Sequence, residues 1–390
     1  MSKPYTPLFN RTYLTILVWF SAITVLILAT QTGDDDFPQL ETTENKPVYW
    51  TDTMDMGNQL NVLIPTPSAL RTEDNTRQFL LKSLLEAQLA SFALTAGSQY
   101  STHVFSDHVA VRITWSSPDA KPAIKNLWDV LTRPVSAELY DHLVAQAQAR
   151  SYIIQNKVNK QPSSKITPEQ YIARMFAPLD TPIPSSQQLL TDLSYSTVTV
   201  MGEEAEDIAD EINEYWPLSR ITVSPRQAAH SGQPAQIAYK EGNNFVLIMG
   251  QVLSARANEQ YLAERLAIGV VQLALAAHQN NTGLEYTIKF ASLRDAGYAT
   301  FSLISPYPIA PQLAAIRAQL TEDRVNEAKR HLLSSWQAIP DNPDSLGGAL
   351  NRLAFYQLAP NALNNLRHRV EDLDNDKILV TAKRLLGDGA

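Results

Sequence analysis

The segment LVAQAQARSYIIQNKVNKQPSS, laid without a gap over RVNEAKRHLLSSWQAIPDNPDS, sets Val144 on Val325, Ala147 on Ala328 and Pro162 on Pro343. The strand-like runs NVLI (Asn61 to Ile64) and FVLI (Phe245 to Ile248) superimpose at nearly the same offset. A plan met twice in one chain is more economically one duplicated unit than two unrelated domains, and it restricts the fold more than any short motif. The length of 390 residues agrees, because single cores stop growing at about 250–300 residues.

Each copy alternates strand and helix patterns. In the first, NVLI leads to a helix from about Asn75 to Ala96, whose Leu80, Leu81, Leu84, Leu85, Leu89 and Phe92 form one apolar stripe. The strand HVAVRITW (His108 to Trp115), a helix from about Ser136 to Asn156, the helical stretch YIARMF and the strand STVTVMG follow. EEAEDIADEINEYW closes the copy as an acidic helix. In the second, FVLIMG precedes an apolar helix from about Asn258 to Ala277, strands at EYTIKF and GYATFSLI, and helices at EDRVNEAKRHLLSSW and DSLGGALNRLAFYQL. Residues 48–218 and 243–390 are therefore expected as two α+β halves, each an antiparallel sheet with packed helices. The polar segment 219–242, with Pro225, Gly232, Pro234 and Gly242, reads as the linker.

Thr12 to Thr30 is a run without a charged residue, long enough as a helix to span about 30 Å of hydrocarbon. A cleaved signal peptide is the rival, but its apolar region is shorter and ends in small residues of A-x-A type, whereas Ala29 is followed by Thr30 and Gln31. Lys3 and Arg11 precede the run and Asp34, Asp35 and Asp36 follow it. The positive-inside bias then leaves residues 1–11 in the cytoplasm, 12–30 as a single anchor in the cytoplasmic membrane, 31–47 as a tether and the halves on the far side, which is the periplasm if the cell is Gram-negative and otherwise the exterior.

Composition removes several classes of function. A net charge of −8 argues against nucleic acid as a partner. With no cysteine, disulfides, thiolate metal sites and cysteine nucleophiles are excluded. There is no G-x-S-x-G, no Walker-type loop and no G-x-G-x-x-G. His103 and His108, with Asp107 between them, form the one close histidine pair; within one strand their separation would set them on opposite faces, so an exposed or turn role is expected rather than a metal site. The acids from Glu203 to Glu214 leave Ile208 and Ile212 on one apolar face and read as a solvated helix surface.

Paired α+β halves in this order resemble the insulinase/pitrilysin family of zinc peptidases. VTVMGEEAEDIADEINEYW is similar to the strand, glycine and acidic helix that end the family's first half. HQNNTGLEY resembles its L-R-E-x-x-G-L-x-Y segment, LTEDRVNEAKRHLLSSW its T-x-x-E-L-x-x-A-K helix, and EDLDNDKILVTAKRLL its closing helix. Active members carry H-x-x-E-H on the first long helix, where two histidines bind zinc and the glutamate is the general base. This sequence has no such motif. If QFLLK occupies its place, Gln78 and Lys82 replace the histidines and Leu81 the base, while Gln146 or a neighbour stands near the distal glutamate position. A Lys ammonium has no lone pair for zinc. The family's arginine and tyrosine toward bound peptide become Gln279 and Tyr286. The resemblance thus implies no catalytic residue, no metal and no cofactor, with Tyr286 and Gln279 as candidate peptide contacts. Its implied role is a membrane-anchored, non-catalytic partner of an active peptidase subunit; the alternative is an envelope scaffold that binds peptides or proteins without proteolysis. An enzyme with an unrecognised site has no visible constellation to support it.

Overall fold

The computed structural model describes residues 37–53, 57–70, 74–90, 92, 97–159, 166–177, 183–222, 224 and 236–387. The run Thr12 to Thr30 lies outside them. Among the described residues no helix is long and apolar enough to cross a membrane. Pro38–Ala390 is one compact unit.

The first half builds a sheet from β1 (Glu41–Thr42), β2 (Val48–Thr51), β3 (Asn58–Pro65), β4 (Ser98–Val104), β5 (His108–Trp115) and β6 (Thr197–Met201), in the order β1-β2-β6-β3-β5-β4. Its helices are α1 (Asn75–Leu89), α2 (Ile124–Leu131), α3 (Ala137–Asn159), α4 (Pro168–Met175), α5 (Ser186–Asp192) and α6 (Ala205–Tyr215). The second half has β7 (Ile237–Glu241), β8 (Asn244–Leu253), β9 (Glu285–Ser292) and β10 (Gly297–Ser305), in the order β7-β8-β10-β9. Its helices are α7 (Tyr261–Thr282), α8 (Ile309–Ala318), α9 (Glu322–Gln337), α10 (Pro343–Phe355), α11 (Leu366–Glu371) and α12 (Asn375–Leu385). The series β3-α1-β4-β5-α2-α3-α4 and β8-α7-β9-β10-α8-α9-α10 repeat element for element.

Three expectations need correction. The first sheet is mixed, because β2 runs parallel to β6 with Val48 opposite Val198. The segment read as a linker supplies β7, whose Ile237 pairs with Ile248. The segment read as a tether supplies β1, whose Glu41 pairs with Trp50. In the second and third cases a polar, proline-containing stretch takes an edge position, where one row of backbone groups bonds a neighbour and the other can face water.

Period-two alternation decides which way each sheet faces. In β3, Leu60, Val62 and Ile64 enter the first core with Leu80, Leu84 and Leu85 of α1, while Gln59, Asn61 and Leu63 take the opposite face. In β8, Leu247 and Met249 enter the second core with Val270, Val271 and Ala274 of α7, while Val246 and Ile248 face away. Helix α3 packs on α1, as α9 packs on α7.

The outward faces are covered by exchange. Helix α4, from the first half, lies on β8 and β10 of the second. Its start is fixed by Pro168 and a capping box, with the Gln170 amide donating to Thr167 Oγ1 at 3.2 Å and the Thr167 amide to Gln170 Oε1 at 3.0 Å. Tyr171, Ile172, Met175 and Phe176 then pack against Val246, Ile248, Leu293 and Ala296. Gly250 permits the approach: a Cβ there would sit 2.5 Å from the Ala299 carbonyl oxygen and 3.1 Å from the Tyr171 ring. In return, α10 of the second half lies beside β6 of the first. It opens with Pro343 and an Asn342 cap that accepts from the Ser345 amide at 3.0 Å.

Candidate functional site

Under the first sheet, between β3, β5 and α10, is a chamber of about 540 Å³. Gln59, Asn61 and Arg112 project from the sheet, and Asp344, Asn351 and Arg352 from the helix. Asn61 donates to Thr199 Oγ1 at 3.2 Å, and that hydroxyl in turn donates to Asn351 Oδ1. Arg112 reaches Asp344 at 3.3 Å, an exposed pair of small energetic weight. The chamber's polar groups thus bond mainly to one another across the contact.

One wall of the chamber is the junction of the halves, centred on Asp107, which is 1% exposed. Its Oδ1 lies 2.7 Å from His108 Nδ1, and its Oδ2 accepts from the Arg294 amide at 2.9 Å and the Tyr356 hydroxyl at 3.0 Å. Its carbonyl accepts from the Thr66 amide at 2.9 Å. Burial, and next the negative charge of Asp107, hold the Tyr356 phenol above its ordinary range, so it is a neutral donor. The His108 ring stacks on Phe105 at 4.4 Å and leans on Phe355 at 4.3 Å. The β4–β5 turn thereby docks on the β9–β10 turn, and Asp295 there accepts from the Ser68 amide at 3.3 Å. This corrects the reading of the histidine pair. A hairpin turn separates His103 from His108; His103 is exposed and bonds Ser101, while His108 packs in the junction instead of facing solvent.

The positions matched to the zinc motif hold other chemistry. Gln78 is fully buried, and its Nε2 donates to Thr66 Oγ1 at 3.1 Å and the Pro67 carbonyl at 2.9 Å, fastening α1 to the loop after β3. Leu81 is a core residue at 1% exposure. Lys82 pairs with Glu86 at 3.2 Å, and Glu86 also accepts from Thr102 on β4. Lys82, Phe79, Thr102 and Arg150 line an open groove of about 590 Å³ under β4, with the Arg150 guanidinium 3.9 Å above the Phe79 ring. An amide engaged through its nitrogen, a leucine and two cations do not fit a divalent metal. Gln146 is exposed and reaches only His142, at 3.5 Å. Among the described residues no three His, Asp or Glu side chains converge as a metal site.

Tyr286 stands on β9 with its ring against the second core, and Gln279 is exposed on the last turn of α7. Neither lines the chamber or the Lys82 groove, so the structure does not gather them with Gln78, Leu81 and Lys82. Among the elements that the sequence reading missed, the one beside these positions is β4. It ends the sheet order, paired to β5 from Ser98 opposite Trp115 to Val104 opposite Val109, with no strand on its other side among the described residues. Tyr100, Thr102 and Val104 are its faint alternating signal.

No family model matches the sequence, and no curated protein does. Solved structures match over most of the chain. The inactive domain of a peptidase M16 from Pseudomonas fluorescens is 15% identical with a TM-score of 0.57, covering 89% of this chain and 94% of that one. A chain of complex III from Candida albicans, solved with Inz-5 bound, is 11% identical with a TM-score of 0.60, covering 89% and 92%. A protease from Helicobacter pylori is 10% identical with a TM-score of 0.56, covering 90% and 98%. The chain therefore has the insulinase-like, M16 fold.

Proposed function

We propose that this protein is a catalytically inactive member of the insulinase-like fold, held at the membrane by residues 12–30 with its two halves on the periplasmic or outer side. Its role is that of a non-catalytic partner of an active peptidase of the same fold. The observation that carries this reading is the content of the motif positions: Gln78 and Leu81 are buried in structural roles and Lys82 is a cation, on a scaffold that otherwise keeps both halves. A base, a metal and an oxyanion-stabilising cation are the physical means of peptide hydrolysis in this fold, and the matched positions Gln78, Leu81, Lys82 and Gln279 offer no base, no metal-ligand set and no arginine. Likeness to an inactive peptidase domain and to a chain of a multisubunit complex supports a role exercised through other subunits.

The second reading, a peptide-binding scaffold independent of proteolysis, is favoured by β4 and the groove beside it. An extended peptide can add to such an edge through backbone hydrogen bonds that need no catalytic side chain. Affinity purification of the full-length protein from its own cells in mild detergent, followed by mass spectrometry, separates the two. A stoichiometric peptidase with an intact H-x-x-E-H is expected. Recovery of an envelope protein with no peptidase would sink the partner reading and favour the scaffold.

A further inference from the structure

The second half contains another groove, of about 510 Å³, between the start of α7, the ends of α9 and α10, and the segment that follows α10. Leu262, Trp336 and Leu353 form an apolar floor, and Arg256, Arg265, Arg352 and Arg369 stand around it. None of the four guanidinium groups has an ion-pair partner among the described residues. Glu259, the acid on the rim, is exposed and pairs with none of them.

Arg256 is half-buried and lies 3.9 Å over the Tyr261 ring, with its Nε buried and without an acceptor. Burial and then the charge of Arg265 push its pKa down to about 10; Tyr356 acts in the opposite sense and Arg352 adds to the lowering. It stays protonated at neutral pH, beside two other cations. Like charges gathered without a counter-ion oppose folding. Planar guanidinium forks match a carboxylate in two-point fashion, and an apolar floor beside them suits a hydrocarbon side chain.

We propose that this groove is a docking site for an acidic peptide segment of a partner protein. A carboxylate of that segment is held by Arg256, Arg265 and Arg352, and an adjacent apolar side chain lies on Leu262 and Trp336. Arg352 lines the chamber under the first sheet as well as this groove. The site lies away from β4 and from the lost motif, and it stands or falls separately from the partner reading.

The test is calorimetric titration of the full-length chain, in non-ionic detergent, with a blocked hexapeptide of alternating Glu and Leu and with its Gln-for-Glu counterpart. The acidic peptide is expected to bind at least about tenfold more tightly, and to weaken as salt is raised. Arg265→Gln and Arg352→Gln are each expected to lose about tenfold in affinity. Because each removes a repelling charge, the thermal midpoint of the free protein should hold or rise, which a merely structural arginine would not give. Equal binding of the two peptides, or unchanged binding by both variants, would overturn the proposal. So would binding of inorganic phosphate or of phosphatidylglycerol vesicles in place of the peptide.

Discussion

The two halves lend each other a helix, yet the two contacts that result are of opposite character. Where α4 lies on the second sheet, the facing positions of β8 are Val246, Ile248 and Gly250, and the contact is close and apolar. Where α10 approaches the first sheet, the outward-facing positions of β3 are Gln59, Asn61 and Leu63, and a chamber remains. The superposition of NVLI on FVLI does not hold in facing, because Val62 and Ile64 point into the first core whereas Val246 and Ile248 point away from the second. The same architectural step thus closes one side and holds the other open. The choice rests on alternate residues of two strands whose core-facing positions are nearly interchangeable. Burial of apolar surface, worth about 25 cal/mol per Å², is concentrated at the closed contact. The polar contact leaves a space against the first sheet's outward face.

The largest expected effect breaks the closed contact. Phe176→Ala, at a fully buried position, is expected to cost about 3–5 kcal/mol in urea unfolding. A loss below about 1 kcal/mol would mean that this contact does not join the halves. Next comes the junction beside the chamber. Asp107→Ala leaves the Tyr356 hydroxyl and the Arg294 amide without their acceptor, and about 2–3 kcal/mol should be lost in the same assay. Tyr356→Phe, which removes one donor, should cost about 1 kcal/mol.

A smaller effect sharpens the contrast directly. Gln59→Val combined with Asn61→Val gives β3 the outward face of β8, and unfolding free energy should change by only about 1 kcal/mol. Thr199 keeps its bond to Asn351 in this variant. A much larger loss would show that the chamber's polar groups carry stability after all. The smallest effect concerns α7, which has the acid Glu264 in its first turn where α1 has none. Burial raises the Glu264 pKa above the ordinary carboxylate range, against bonds from Ser254 that lower it. A raised folded-state pKa contributes stability at pH below the ordinary value and loses it as pH rises through the folded-state value. Glu264→Gln should therefore gain under about 1 kcal/mol at pH 7 and nothing near pH 4. Thermal midpoints across that range check it.

What could be read from the sequence followed the strength of local signals. The strand His108–Trp115 and the helix at Glu322–Gln337 stand where their periodicity places them, because β-branched alternation and a helical apolar stripe are each self-contained. β4 and β7 escaped notice because edge strands are polar on purpose, and α2 and α8 because eight and ten residues hold too few turns to declare a face. That H-x-x-E-H does not occur was legible in the sequence itself; the structure places Gln78 and Leu81 in the interior and Lys82 against Glu86. The Asp107 junction was not legible at all. Its partners Arg294 and Tyr356 are 187 and 249 residues away, and no local pattern announces a carboxylate that three such groups share.

The exchange of α4 and α10 has a consequence for how such a chain could have arisen. A single half, made alone, would expose the outward face of its sheet and a helix with nothing to cover, and two copies would satisfy both needs by trading helices. The present molecule is in that sense a dimer written as one polypeptide. The segment between its halves replaces dilution-sensitive association by an effective concentration in the mM range. Once the two copies were covalently joined they no longer had to be alike, and one contact was free to become a seal while the other became a space.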